Sequence, residues 1–208
     1  MSETVSVIIA TFGDRKNWDR IVQRAINSVI TQSVRPNQLI RSHGKDLQQA
    51  RNEAVKKSYS DWLCFLDADD ELEPGYIEAM LKGQGDLRYP MVRYLDVEQF
   101  NIDHRLTDPV ALKEIHILDG NWMVIGTFVR REQFLRVGGF PDYSAYEDWA
   151  LWIKCWIDGA QWQLCNDAIY RVYRSKSGRN HMPGNVAQKL HDDISGYFRP
   201  IAKERGLI

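Results

Sequence analysis

Carboxylates supply most of the chemistry on offer in this sequence. Asp67, Asp69 and Asp70 follow directly on Trp62-Leu63-Cys64-Phe65-Leu66, a wholly apolar run. Acids at the end of a buried strand are rigidly placed, and their oxygens suit Mg²⁺ or Mn²⁺, which keep several waters and bridge to substrate phosphates. Helix capping accounts for Glu71 and Glu73 ahead of Pro74, but it does not call for three further acids. A second acidic pair, Glu147-Asp148, opens a segment carrying Trp149, Trp152 and Trp156. There a carboxylate either caps the helix, the default reading, or acts as a general base against a wall of aromatics. Arg51 stands near the start of another helical stretch, where the helix dipole opposes a cation. It is either a surface side chain or the partner of an anion such as phosphate.

The elements that must hold these groups follow from hydrophobic periodicity. Val5 to Ala10 is a β-branched run with little alternation, as expected of a strand buried on both faces, and Thr11-Phe12-Gly13-Asp14 breaks it. Trp18, Ile21, Val22, Ala25, Ile26, Val29 and Ile30 recur at helical spacing and predict a helix from Arg15 to about Ser33. A short strand, Gln38 to Arg41, and a helix ending near Ser58 come next. The apolar strand Trp62–Leu66 and a helix from Pro74 to about Lys82 complete the series. Further strands are expected at Pro90–Leu95, Val124–Val129, Trp162–Leu164 and Ile169–Tyr173, with a short helix near Arg131–Val137 and a helical tail from about Asn185. Residues 96–120 are mixed and polar and carry no assignment. Strand and helix alternation predicts an α/β fold, a three-layer sandwich around a mostly parallel sheet with right-handed crossovers. Ligands bind such sheets at the carboxyl ends of strands, where Thr11–Asp14 and Asp67–Asp70 both fall.

Composition narrows the classes. A chain of 208 residues suits one generous domain, and its net charge of −1 excludes a generic polybasic nucleic-acid or membrane binder. The neutral total hides +5 over residues 1–60, −9 over 61–120 and +3 over 121–208. Cys64, Cys155 and Cys165 form no metal-binding spacing and fit a reducing compartment, so a cytoplasmic location is expected. No signal peptide is recognisable, and no apolar run approaches the roughly 20 residues of a membrane span. Without a G-x-G-x-x-G turn a dehydrogenase is disfavoured.

Five segments in order, Val5–Phe12, Ala50-Arg51-Asn52, Phe65-Leu66-Asp67-Ala68-Asp69-Asp70, Gly138-Gly139-Phe140 and Glu147-Asp148-Trp149, resemble family 2 glycosyltransferases of the GT-A fold. The resemblance spans roughly residues 5–175. It implies a single Rossmann-like GT-A domain, with a nucleotide-sugar half over about 1–95, an acceptor half over about 96–183 and a helical tail over 184–208. It further implies a metal-dependent, inverting transfer from a nucleotide-diphospho-sugar to an acceptor hydroxyl. By motif position, Thr11, Phe12, Asp14, Arg51, Asp67, Ala68 and Asp69 face the nucleotide-sugar. Asp69 and Asp67 match the D-x-D motif that holds Mn²⁺ or Mg²⁺, and Asp148, with Glu147 beside it, matches the catalytic base.

Two departures matter. Ser42-His43 stands where the family has a base-reading acidic pair, so the nucleotide is left open. Tyr173 stands where a histidine often reaches the metal or diphosphate, with His181 a substitute and Arg174, Lys176 and Arg179 an alternative clamp for the diphosphate. The alternatives are a catalytically degenerate GT-A domain binding a nucleotide or glycan and, less favoured, a sugar nucleotidyltransferase. The acceptor could be a glycan, lipid, protein, small molecule or nucleic-acid base, with Tyr143–Trp156 as part of its wall. Its selection would fall to loops or a partner protein, and a homo-oligomer is the other assembly the chain could form.

Overall fold

Three strands at the centre carry the expected β-α-β order. β1 (Val5–Phe12) is buried along nearly all its length and lies between β2 (Gln38–Gly44) and β3 (Trp62–Asp67), both parallel to it. Ile8 pairs with Ile40 on one side and Phe65 on the other, which is why this strand shows no polar face. α1 (Arg15–Ile30) and α2 (Leu47–Val55) make the crossovers. The computed structural model describes residues 3–96, 106–107, 115–174 and 183–208.

After β3 the chain forms β4 (Glu71–Leu72), α3 (Tyr76–Lys82), β5 (Leu87–Asp96), β6 (Leu106–Thr107), β7 (Phe128–Arg130), α4 (Arg131–Arg136), α5 (Glu147–Ile157), β8 (Trp162–Arg174) and α6 (Gly184–Glu204). The strand order is β2-β1-β3-β7-β5-β8-β4, with β6 paired to β5. The expectation of a mostly parallel sheet holds only in part. Three described pairings are parallel and four antiparallel, because β7 inserts between β3 and β5 against both, and β4 and β6 pair with their neighbours antiparallel. Only the first three strands are linked by regular helical crossovers, and periodicity carries no information on the direction of the shorter ones.

Several element ends shift by a few residues, as where β2 runs on to Gly44 and β5 spans Leu87–Asp96, and three segments differ more deeply from expectation. Residues 124–127 form a turn, not a strand: the Thr127 N–H and hydroxyl both donate to the Val124 carbonyl, at 3.0 and 2.8 Å. Gly126 sits in that turn, where a Cβ would press on the Tyr170 ring and lie 2.7 Å from the Tyr76 hydroxyl. The two late strands are one, β8, broken in register so that Pro90 pairs with Cys165 but Met91 with Ile169. Proline offers no N–H to a ladder, and the extra residues of β8 bulge out at that step. The third helix begins at Tyr76, one turn residue after Pro74, with Gly75 in the left-handed region at φ 84°.

The core is rich in aromatics: Trp62, Phe65, Phe128, Trp149, Trp152 and Tyr170 are all fully buried. α6 packs on α5 and buries Ile194, Phe198 and Ala202. All three cysteines are buried free thiols. Among the described residues no helix is long and apolar enough to cross a membrane.

Candidate active site

α2 joins the motifs into one site. It starts beside the carboxyl ends of β1 and β3 because Asp46 caps it, its carboxylate accepting the Gln49 N–H at 2.7 Å. Gly44 precedes that cap, and a Cβ there would lie 3.0 Å from the Ala50 amide, so the β2–α2 turn needs glycine to close this tightly. From α2 two side chains reach across the molecule. Asn52 clasps Phe140 from both sides, donating to its carbonyl at 2.9 Å and accepting its N–H at 3.0 Å. Gly139, at φ 67°, allows this approach, since a Cβ would lie 2.6 Å from the Asn52 amide oxygen.

Arg51 makes the second reach. It is 3% exposed, and one arm of its guanidinium donates to Asp67 Oδ1 at 2.5 Å while the other donates to Glu147 Oε1 at 2.7 Å. Burial disfavours its charge, but Asp67 and Glu147 outweigh that and raise its pKa. A planar fork with fixed donors is the group that can satisfy two carboxylates at once. Arg51 therefore spends both arms on protein carboxylates and ties the end of β3 to the start of α5.

The acids at the end of β3 converge. Asp67, Asp69 and Asp70 each offer a carboxylate oxygen within 4.8 Å of the others. The turn that gathers them closes through the Asp70 N–H to the Asp67 carbonyl at 3.1 Å, with Ala68 buried beneath. β8 supports it from below, where the Tyr170 hydroxyl accepts the Asp67 N–H at 3.2 Å and the Tyr173 N–H donates to Asp70 Oδ1 at 2.9 Å. Burial, then the charges of Asp67 and Asp69, push the Asp70 carboxyl well above the usual carboxylate range. Three crowded hard-oxygen donors with mutually repelling charges fit a divalent cation. Two cationic side chains flank the cluster: Arg24 donates to the Asp69 carbonyl and lies 3.5 Å over the Tyr173 ring, and Arg171 reaches Glu73 at 2.9 Å.

Across the Arg51 bridge, α5 opens on Tyr146-Glu147-Asp148. Tyr146 has φ 60°, and among the described residues it is the one non-glycine in the left-handed region, a strained turn that starts the helix abruptly. Glu147 is buried against Arg51. Asp148 accepts the Trp149 N–H at 2.8 Å and the Asn121 amide at 3.1 Å, both on Oδ1. Burial raises its pKa to about 6, helped by Glu147 and opposed by Arg51 and by both hydrogen bonds. A carboxyl with that pKa, partly open at the surface, is suited to proton abstraction near neutral pH.

Thr11, Phe12 and Asp14, the residues expected to face a nucleotide, lie at and just beyond the end of β1. The Thr11 hydroxyl and His43 Nδ1 are hydrogen bonded at 2.9 Å, which puts His43 beside the turn where an acidic pair was missing. Phe12 packs on Trp18, whose indole N–H donates to the Phe12 carbonyl at 2.6 Å. Asp14 caps α1 by accepting the Lys16 N–H at 3.0 Å. Tyr173 does not point at the acids with its hydroxyl; that group donates to Glu71 at 2.6 Å. His181, Lys176 and Arg179 lie outside the described residues, as does the Arg174 side chain. The aromatic wall behind Asp148 is mostly core. Trp149 and Trp152 are fully buried, donate to the Ile117 and Met123 carbonyls at 2.6 and 3.2 Å, and offer no open face. Sequence reasoning missed Asn121 and Arg24, which lie in no motif and reach the site only through tertiary packing, and it gave Tyr170, the first residue of the Tyr170–Tyr173 segment, no role at the acids.

The model of glycosyl transferase family 2 matches residues 13–107. No curated protein sequence matches the chain. Among solved structures, TarS 1–349 of S. aureus superposes with a TM-score of 0.60 at 15% identity, over 82% of this chain and 60% of that one. The same TarS segment in complex with UDP gives 0.59 at 16% identity, over 83% and 61%. Its complex with UDP-GlcNAc gives 0.65 at 14% identity, over 96% and 72%. The chain thus spans about 60% of the first of these structures, and at such identities the likeness establishes the fold. Residues 13–107 are thus similar to glycosyl transferase family 2, and the fold over most of the chain is similar to that of TarS.

Proposed function

We propose that the chain transfers a sugar from a nucleoside-diphosphate sugar to an acceptor hydroxyl with inversion at the anomeric carbon. The observation that carries this reading is the Asp67–Arg51–Glu147 bridge, which ties the Asp67–Asp70 cluster to the Glu147-Asp148 pair, the arrangement a donor-side cluster and a carboxyl base would need. In the single displacement the acceptor oxygen bonds to the anomeric carbon as that carbon's bond to the diphosphate breaks. The electron pair leaves with the diphosphate, and the acceptor proton passes to Asp148. Asp69 and Asp67, with Asp70 behind them, would hold Mn²⁺ or Mg²⁺. When bound, such a cation offsets the charge that builds on the departing diphosphate. Thr11, Phe12 and His43 line the turn proposed to meet the base. TarS has been crystallised with UDP-GlcNAc, and that sugar nucleotide is the first donor to test here.

The test is a thermal-shift screen of nucleoside diphosphates and their sugars, with and without Mn²⁺, on wild type and Asp148→Asn. A matching donor at 100 times its Kd should stabilise the fold by about 2.7 kcal/mol. Asp148→Asn should keep that shift and lose transfer by about 10²–10⁴-fold. Full turnover in Asp148→Asn would remove it from the mechanism. Binding without hydrolysis or transfer across the panel would turn the reading to a nucleotide-binding module.

A further inference from the structure

Among the described residues, every hydrogen bond to the Asp148 carboxylate falls on one oxygen. Oδ1 takes the Trp149 N–H and the Asn121 side-chain amide, and Oδ2 takes none. A carboxylate held this way has its rotamer fixed and keeps its second oxygen clear of hydrogen bonds from the described residues. The Asn121 amide has only one productive orientation here, since its carbonyl turned toward the carboxylate would set two acceptors against each other.

Asn121 is exposed and belongs to no helix or strand, so something else must fix it. Its loop is tied down on both sides. The indole N–H groups of Trp149 and Trp152 hold the carbonyls of Ile117 and Met123, four residues before it and two after. Asp119, two residues before it, is gripped from α6: Arg199 pairs with the carboxylate, and a ring nitrogen of His191 meets the carbonyl at 3.0 Å. His191 also stacks on Trp149, with ring centroids 4.6 Å apart. The tail helix, the loop and the residue after the base thus form one stitched unit.

We propose that Asn121 is a positioning residue for the general base, holding Asp148 so that Oδ2 receives the acceptor proton, and that α6 fixes Asn121 through the Arg199–Asp119 pair. The proposal rests on the reading of Asp148 as base. The charged groups around Asp148 are Glu147 on its own helix and Arg51 from α2. Asp119, Arg199 and His191 lie beyond them on the loop and α6. An amide donor favours the ionised carboxylate over the protonated one, so its loss makes Asp148 harder to deprotonate.

The test uses UDP-GlcNAc hydrolysis with Mn²⁺, water serving as the acceptor, and a carboxyl-carbon NMR titration of Asp148 in the metal-free protein. Asn121→Ala should lower kcat about 10–100-fold with donor KM unchanged, from lost orientation. It should also move the Asp148 titration up by about one unit. Asn121→Ser, which restores a donor, should recover part of both, and Arg199→Ala should show the same pattern more weakly. The melting temperature of Asn121→Ala should stay near wild type because the side chain is exposed. An unmoved titration and wild-type kcat in Asn121→Ala, with Asp148→Asn inactive, would overturn this proposal alone. Full turnover in Asp148→Asn would overturn the base reading and this proposal together.

Discussion

Arg51 is the residue on which the two halves of the site depend. Removing one partner of a buried charge pair leaves the other uncompensated, at about 3–5 kcal/mol. Arg51→Ala should lose that much stability in urea unfolding, because it strands Asp67 and Glu147 together. Arg51→Lys should rescue little, since one ammonium cannot meet two carboxylates held at opposite ends of a guanidinium. Asp148 gives a prediction in pH. Its folded pKa of about 6 lies above the ordinary 3.8, so between those values the folded state binds the extra proton. Stability from this group is therefore present at low pH and falls as pH rises through about 6. Proton abstraction requires the ionised form, so turnover should fall below about pH 6 while the fold gains. Asp148→Asn should melt above wild type at pH 7.5 and match it near pH 3.5, provided the rest of the molecule stays folded.

The elements were legible in the sequence where their periodicity was strong, and lost where packing decided. α1, α2 and β3 follow from apolar spacing alone, β1 starts at Val5 and α5 opens on Glu147 as expected, and β2 runs on past the expected Arg41 to Gly44. The turn before β7 reads as a strand in the sequence because Val124, Ile125 and Val129 favour extended structure, and the constraint that overrides them is tertiary. Only glycine fits at position 126, because Tyr170 and Tyr76 crowd its α-carbon, and the Tyr76 hydroxyl donates to its carbonyl at 2.8 Å. Gly126→Ala should therefore cost at least the about 1–3 kcal/mol of an overpacked core, a loss measurable as a lowered urea midpoint with unchanged slope. The acids of the candidate site could be found from their place after an apolar strand. Asn121 and Arg24 could not, since neither sits in a pattern and each is brought in by a different loop or helix face.

At the scale of the molecule, the charge blocks of the sequence fold onto one another. Arg24 and Arg51 from the positive first block, and Arg171 from the positive last one, meet Asp67, Asp69, Glu71 and Glu73 of the −9 middle block. α6 closes the far side, and its removal would uncover Trp149 and free the loop that carries Asn121. A chain ending at residue 183 should melt lower than the full chain and lose turnover even at temperatures where it stays folded. The Arg51 bridge has a consequence for descent as well. Asp67, Arg51 and Glu147 satisfy one another, with Arg51 and Glu147 buried and Asp67 half-buried, so drift at any one of them leaves a stranded charge for selection to remove. Among relatives of this chain the three should be inherited or exchanged as a set, and a lineage that has lost Glu147 should have lost Arg51 too.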